Sequence, residues 1–214
     1  MYKIGMETKN TIFECSRELF YEHGVKNTSV SKICEKAGVL PGTFTYYYPR
    51  KHDLLSEIYT AYMQKCVDFV DAKISGLPSA KRHLFIVMFY YMHIYRDEKT
   101  VRFHKEVLEI GSMNIWFHNT RKLISGFSGI NEAAEGSETY DLCVMADNAA
   151  RRELNLNFID SPDHSEEKIR ELMQKIYTIN AKLFDVDPDL VRGYLEEAYL
   201  FSLVYRNEPV CLLR

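Results

Sequence analysis

Between residues 29 and 48 the chain reads SVSKICEKAGVLPGTFTYYY, with small and hydroxyl-bearing side chains crowded into its second half. Leu40, Pro41 and Gly42 lead into Thr43, Thr45, Tyr46 and Tyr47. Hydroxyl groups donate and accept hydrogen bonds, while threonine methyls and aromatic rings add apolar contact, a mixture suited to the edges of DNA bases. A helix-turn-helix presents such a face when its second short helix enters the major groove. That arrangement needs a tight turn and an apolar lock, and both are present. Ala37-Gly38-Val39 supplies the turn. Val30, Ile33, Val39, Phe44 and Tyr48 supply the lock, with Phe44 and Tyr48 one helical turn apart. Three consecutive tyrosines fan out by 100° each, so Tyr48 is expected inside while its neighbours face other ways.

The chain spells out little other chemistry. It contains no nucleophile elbow, no Gly-rich phosphate loop and no HExxH pair. Asp147, Arg151 and Arg152 read as helix-borne pairs rather than a reacting set. The five cysteines, Cys15, Cys34, Cys66, Cys143 and Cys211, lack CxxC spacing and fit reduced thiols of a cytoplasmic protein. His93, His104 and His118 are separated by eleven and fourteen residues, without the close pairing of a metal site. No enzyme activity, metal or cofactor is expected.

The elements that position these residues are helical almost throughout. Ile12, Phe13, Ser16, Leu19 and Phe20 line one face of a helix over Thr8–His23, stopped by Gly24 in a left-handed cap position. Thr28 or Ser29 caps the next helix and Gly38 ends it. Pro41 opens the third at a position where its missing N–H costs nothing, and Pro49 closes it. A long helix follows over Lys51–Ile74. Beyond Gly76–Pro78, helices are expected at Ser79–Arg96, Lys99–Glu109, Asn114–Phe127, Glu138–Phe158, Glu166–Phe184 and Pro188–Tyr205. The fold class is therefore all-α. A three-helix head over residues 1–50, completed by the start of the long helix at 51–74, joins a larger helical body over 51–214. The apolar run Leu84–Tyr95 is too short to span a bilayer, carries His93 and is flanked by Lys81, Arg82 and Arg96. It reads as a buried helix, and no membrane partner is expected.

The net charge of −3 conceals an asymmetry. Residues 1–52 carry eight Lys/Arg against five Glu, while the remainder carries nineteen Lys/Arg against twenty-five Asp/Glu. A basic head on an acidic body suits contact with a polyanion at one end.

Residues 11–55, TIFECSRELFYEHGVKNTSVSKICEKAGVLPGTFTYYYPRKHDLL, resemble the head of a TetR-family regulator. The resemblance rests on Leu19-Phe20 with Gly24, Thr28-Ser29, Ala37-Gly38-Val39, Gly42-Thr43-Phe44, Lys51 and Leu54-Leu55 in one register. It implies a tetracycline-repressor-like fold, with a C-terminal helical domain for dimerisation and ligand binding. It also implies that Thr43, Thr45, Tyr46 and Tyr47 face double-stranded DNA, beside Leu40, Pro41 and Gly42. Lys51 would pair with a phosphate, and Thr28 or Ser29 would donate to another. Two positions depart from the family pattern. Leu40 stands where a hydroxyl cap is usual, and Thr45 where a large aromatic is common, so operator preference cannot be carried over.

The implied partners are a near-palindromic operator, a second copy of the chain and a small-molecule effector that releases a repressor from DNA. The last two long helices are the expected dimer interface. Their apolar positions are Ile169, Leu172, Met173, Ile176, Ile179 and Leu183, then Leu195, Ala198, Tyr199, Phe201 and Leu203. Met88, Tyr91, Met92, His93, Tyr95, Phe103, Trp116 and Phe117 are the expected lining for a mostly apolar or aromatic ligand, with His104 nearby. The alternative is a helical-body enzyme or protein-binding adaptor with a vestigial DNA-binding head.

Overall fold

The computed structural model describes residues 2–111 and 137–214, with side chains from Gly5 onward. The expected helix Asn114–Phe127, and with it Trp116, Phe117 and His118, lies outside the described residues. Among the described residues there are nine helices and no strand. They are α1 (Tyr2–His23), α2 (Val30–Ala37), α3 (Pro41–Tyr47), α4 (Lys51–Lys73), α5 (Ser79–Ile94), α6 (Glu98–Ile110), α7 (Glu138–Ile159), α8 (Glu166–Leu183) and α9 (Pro188–Val204). None is long and apolar enough to cross a membrane.

α5 is the axis of the body. Every residue from His83 to Tyr95 is buried, because α4, α6, α8 and α9 all pack against this helix. A helix apolar on all sides has to be surrounded, and each buried aliphatic or aromatic side chain contributes about 1.5–3 kcal/mol towards that arrangement. α7 packs between α6 and α8.

Head and body share one core. Phe20 of α1 lies 5.6 Å from Phe103 of α6 between ring centroids, and Phe103 stacks on Tyr59 of α4 at 5.9 Å. The outer seam is polar. Arg102 donates to the carbonyl of Tyr21 at 2.7 Å, and Lys99 pairs with Glu22 while lying 4.8 Å above the Tyr21 ring. After α9 the chain returns to the head. Leu212 and Leu213 are buried in the core, and the Arg214 guanidinium sits 4.0 Å above the other contact point of this seam, the Tyr21 ring, and bonds its hydroxyl.

The α1–α2 turn is fastened to α6 as well. Gly24 closes α1 at φ 78°, and its N–H bonds the carbonyl of Phe20 at 2.9 Å. Two residues on, the Lys26 N–H donates to Glu106 Oε2 at 2.9 Å, and Lys26 Nζ pairs with Glu109 at 2.6 Å. A Cβ on residue 24 would lie 2.6 and 2.7 Å from the two Glu106 carboxylate oxygens. Gly24→Ala is therefore expected to cost about 1–2 kcal/mol from backbone conformation, and more because the buried carboxylate must move. A urea midpoint within error of the parent would contradict this account.

Candidate nucleic-acid interface

Local rules account for the geometry of the second and third helices. Ser29 has extended backbone, and its hydroxyl accepts the Lys32 N–H at 3.2 Å, capping α2. Gly38 at φ 65° ends α2, with its N–H on Glu35 and the Val39 N–H on Cys34. Leu40 occupies the N-cap of α3 without a side-chain bond, and Pro41 follows in the first turn. Ile33, Phe44 and Tyr48 are buried, with Phe44 and Tyr48 rings 5.8 Å apart, so the apolar lock forms as the spacing predicts.

The outer face of α3 is left open. Leu40 is 75% exposed and Tyr46 is 80% exposed, unusual values for large apolar side chains. Pro41, Gly42 and Thr45 are exposed between them, and the Thr45 hydroxyl donates to the Pro41 carbonyl at 3.0 Å. Thr43 and Tyr47 are half-buried, with Tyr47 edge-on to Tyr46 at 4.9 Å. Among the described residues, the exposed Leu40, Pro41, Gly42, Thr45 and Tyr46 thus bring hydroxyl and apolar groups together on the outer face of a short helix.

Residues 12–58 match the family model of the bacterial regulatory proteins of the tetR family. The segment so matched runs from the middle of α1 through α2 and α3 into α4, the part of the chain that holds the open face of α3. Over 77 residues the chain is 30% identical to the fatty acid metabolism regulator protein of Bacillus subtilis (strain 168), covering 36% of this chain and 40% of that protein. Over 55 residues it is 38% identical to the HTH-type transcriptional regulator AcrR of Shigella flexneri, covering 26% of each. The chain thus spans well under half the length of these curated relatives. Likeness in fold extends further. The crystal structure of RolR in complex with resorcinol superposes with a TM-score of 0.52 at 16% identity, over 91% of this chain and 96% of that one. TylP, a TetR regulator from Streptomyces fradiae, gives 0.52 at 14% identity over 99% and 96%.

Within the matched segment, two residues expected at phosphates make internal contacts in the structure. Thr28 is buried, and its hydroxyl donates to the carbonyl of Gly24 at 2.7 Å. Lys51 turns inward, where its ammonium donates to the carbonyls of Val25 and Thr28 at 2.5 Å each and lies 5.5 Å above the Phe20 ring. Burial lowers its pKa, opposed in part by Glu106. Lys51 therefore ties α4 to the α1–α2 turn, with two of its three ammonium donors on backbone carbonyls, while the Thr28 hydroxyl is engaged by the Gly24 carbonyl. Ser29 keeps an exposed hydroxyl position. The neighbouring cation, Arg50, has a side chain 71% exposed and paired with Asp53 at 2.8 Å. Its place just after the helix-ending Pro49, at the N-cap of α4, was the sequence signal for an outward cation.

The expected ligand-lining residues Met88, Tyr91, Met92, His93, Tyr95 and Phe103 are all buried in the main core. Around them runs a polar network that sequence patterning did not bring together. Tyr59 Oη and His104 Nδ1 share a hydrogen bond at 2.8 Å, and Tyr95 donates to Asn155. Asn155 donates to the carbonyl of Arg151 at 2.7 Å, and Arg151 pairs with Asp147 at 2.7 Å. Asn180 donates to the second Asp147 oxygen at 3.3 Å. His83 shares a hydrogen bond with Tyr177 at 2.8 Å, and the Arg151 guanidinium lies 4.6 Å from that tyrosine ring. Burial pushes His83 and His104 down to about 3 and raises the hydroxyl pKa values of Tyr59, Tyr90 and Tyr95. The imidazoles of His83 and His104 and the phenols of Tyr59, Tyr90 and Tyr95 are therefore neutral at pH 7. Among the described residues, no three His, Cys, Asp or Glu side chains are grouped to hold a metal.

The apolar stripe on α8 faces inward. Ile169, Leu172, Met173 and Ile176 are buried within the chain, while Ile179 and Leu183 are partly covered. On α9, Leu195, Ala198, Tyr199 and Phe201 are likewise buried, and Leu203 is partly covered. The apolar surface left outside is a different set. Leu190, Leu200 and Val204, spaced ten and four residues apart, share one exposed side of α9 with Gly193.

Proposed function

We propose that this chain is a DNA-binding transcriptional regulator, a homodimeric repressor released from its operator by a small, mostly apolar or aromatic ligand. The observation that carries the reading is the open face of α3 within a TetR-family head. Leu40, Tyr46, Thr45 and the half-buried Thr43 and Tyr47 would approach base edges and thymine methyls, while Ser29 and Arg50 would approach phosphates. Residues 1–50, with the start of α4, form the DNA-binding unit, and residues 51–214 carry effector binding and dimerisation.

A two-headed protein needs its recognition helices about 34–36 Å apart to reach successive major grooves, which favours a symmetric dimer. The exposed side of α9 at Leu190, Gly193, Leu200 and Val204 is the surface we assign to that contact. For the effector, the interior supplies aromatic walls with hydroxyl, imidazole and amide groups among them. Such a lining suits a small aromatic molecule bearing one or two polar groups.

Fluorescence anisotropy on DNA taken from upstream of the chain's own gene tests the reading. Saturable binding that weakens steeply with salt is expected. Thr45→Ala with Tyr46→Ala is expected to lower affinity for the specific site at least tenfold, since each lost base contact is worth about 1–3 kcal/mol. Unchanged affinity and selectivity in that double variant would overturn the assignment of α3.

A further inference from the structure

A concavity lies where the end of α5, the start of α8 and the turn after α9 meet. It is a cleft of about 250 Å³, smaller than pockets that take drug-sized molecules. Met92, Tyr95 and Ile169 give it an apolar wall, and Arg96 and Arg206 bring two guanidinium groups to the same space. Opposing charge is sparse. Glu166 is the one carboxylate on the lining, and it lies 3.8 Å from Arg206 Nε, beyond hydrogen-bond reach. Arg96 donates one N–H to the carbonyl of Glu208 at 2.9 Å. A guanidinium has five N–H donors in a fixed fork, so both arginines retain paired donors for a planar anion.

We propose that this cleft binds a small aromatic carboxylate, its carboxylate held by Arg96 and Arg206 and its ring against Met92, Tyr95 and Ile169. Glu166 offsets part of the Arg206 charge, which leaves the two guanidinium groups and one carboxylate with a net positive cleft, and a bound carboxylate would balance that excess while forming charge-assisted hydrogen bonds. Ser165, the N-cap of α8, also lines the cleft and makes no side-chain cap bond. Purely polar anions would leave the apolar wall unused. Arg206 also opens the segment that runs on to Leu212, Leu213 and Arg214 against Tyr21, so an occupant touches the segment that holds α1. This inference does not depend on the DNA-binding reading, because its test measures ligand binding alone.

Calorimetric titration of the full chain with benzoate is the test. One saturable site per chain is expected, weakening with added salt, with benzyl alcohol and inorganic phosphate each binding at least tenfold more weakly. Arg206→Gln and Arg96→Gln should each reduce benzoate affinity at least tenfold, with Arg206→Gln leaving thermal unfolding close to the parent's because its side chain is exposed, while Arg96→Gln also loses the bond to the Glu208 carbonyl. Absence of saturable benzoate binding would overturn the proposal. So would equal affinity in the Arg206→Gln and parent chains, which would place benzoate elsewhere. Phosphate binding as tight as benzoate would reduce the cleft to a general anion site and overturn the aromatic assignment.

Discussion

Replacing Asp147 with alanine is expected to lower the unfolding free energy by about 3–5 kcal/mol, the cost of leaving one member of a buried ion pair without its partner. Asp147 is 1% exposed at its side chain and Arg151 12% exposed, so water cannot replace the lost carboxylate. Asn180 loses its acceptor in the same step. The cation–π contact with Tyr177 remains but does not substitute for a charge at 2.7 Å. Removing the charge from both sides has a different sign of consequence. Asp147→Leu with Arg151→Met should recover most of the loss, because apolar replacements of a buried pair are often neutral or better. Urea denaturation at a fixed protomer concentration measures both, since association would otherwise shift the midpoint. A single variant within about 1 kcal/mol of the parent would mean that the pair contributes little.

The second large effect is acid instability beginning near neutrality. Folding holds His83 and His104 down to about 3 and His93 to about 4, mainly because burial disfavours the imidazolium. In the unfolded chain these groups titrate near 6.5. Below that pH the unfolded state binds protons that the folded state refuses, so stability falls as pH falls and is retained above it. Between pH 6.5 and 5 each histidine is expected to cost about 2 kcal/mol, and three together approach the whole stability of an ordinary domain. Carboxylates act in a lower window. The lowered pKa values of Glu22, Asp53 and Asp71, each through a basic partner, matter only once pH drops through the usual carboxylate range. Far-UV circular dichroism during urea titration from pH 8 to 4.5 separates the two. Stability that stays level down to pH 5 would contradict neutral burial of the three imidazoles.

Much of the fold was legible because local signals agreed with one another. Gly24, Gly38, Pro41 and Pro49 punctuate the head at the places where its helices end or begin. The apolar register of Phe44 and Tyr48 fixed the orientation of α3, and with it the exposure of Tyr46. What sequence periodicity does not encode is the partner of a polar atom. Lys51 occupies a position that faces either DNA or the α1–α2 turn, and only the three-dimensional proximity of two backbone carbonyls decides for the turn. The same holds for α8. A stripe of Ile169, Leu172, Met173 and Ile176 says that one face is covered, but not that α5 and α9 of the same chain cover it. The Arg151–Asp147 pair, one helical turn apart on α7, is legible as an i,i+4 pair, whereas the Tyr59–His104 and Asn180–Asp147 contacts join different helices, beyond the reach of any local pattern.

The close approach of Gly24 to Glu106 has an evolutionary reading. Residue 24 lies in the α1–α2 turn and residue 106 on α6, eighty-two positions apart, yet the backbone of one defines the space allotted to the side chain of the other. Selection would then act on them as a unit. A library randomised at both positions and selected for folded protein should return glycine at 24 whenever 106 is acidic. Shorter side chains at 106 would license the few residues that tolerate a left-handed backbone, asparagine first among them.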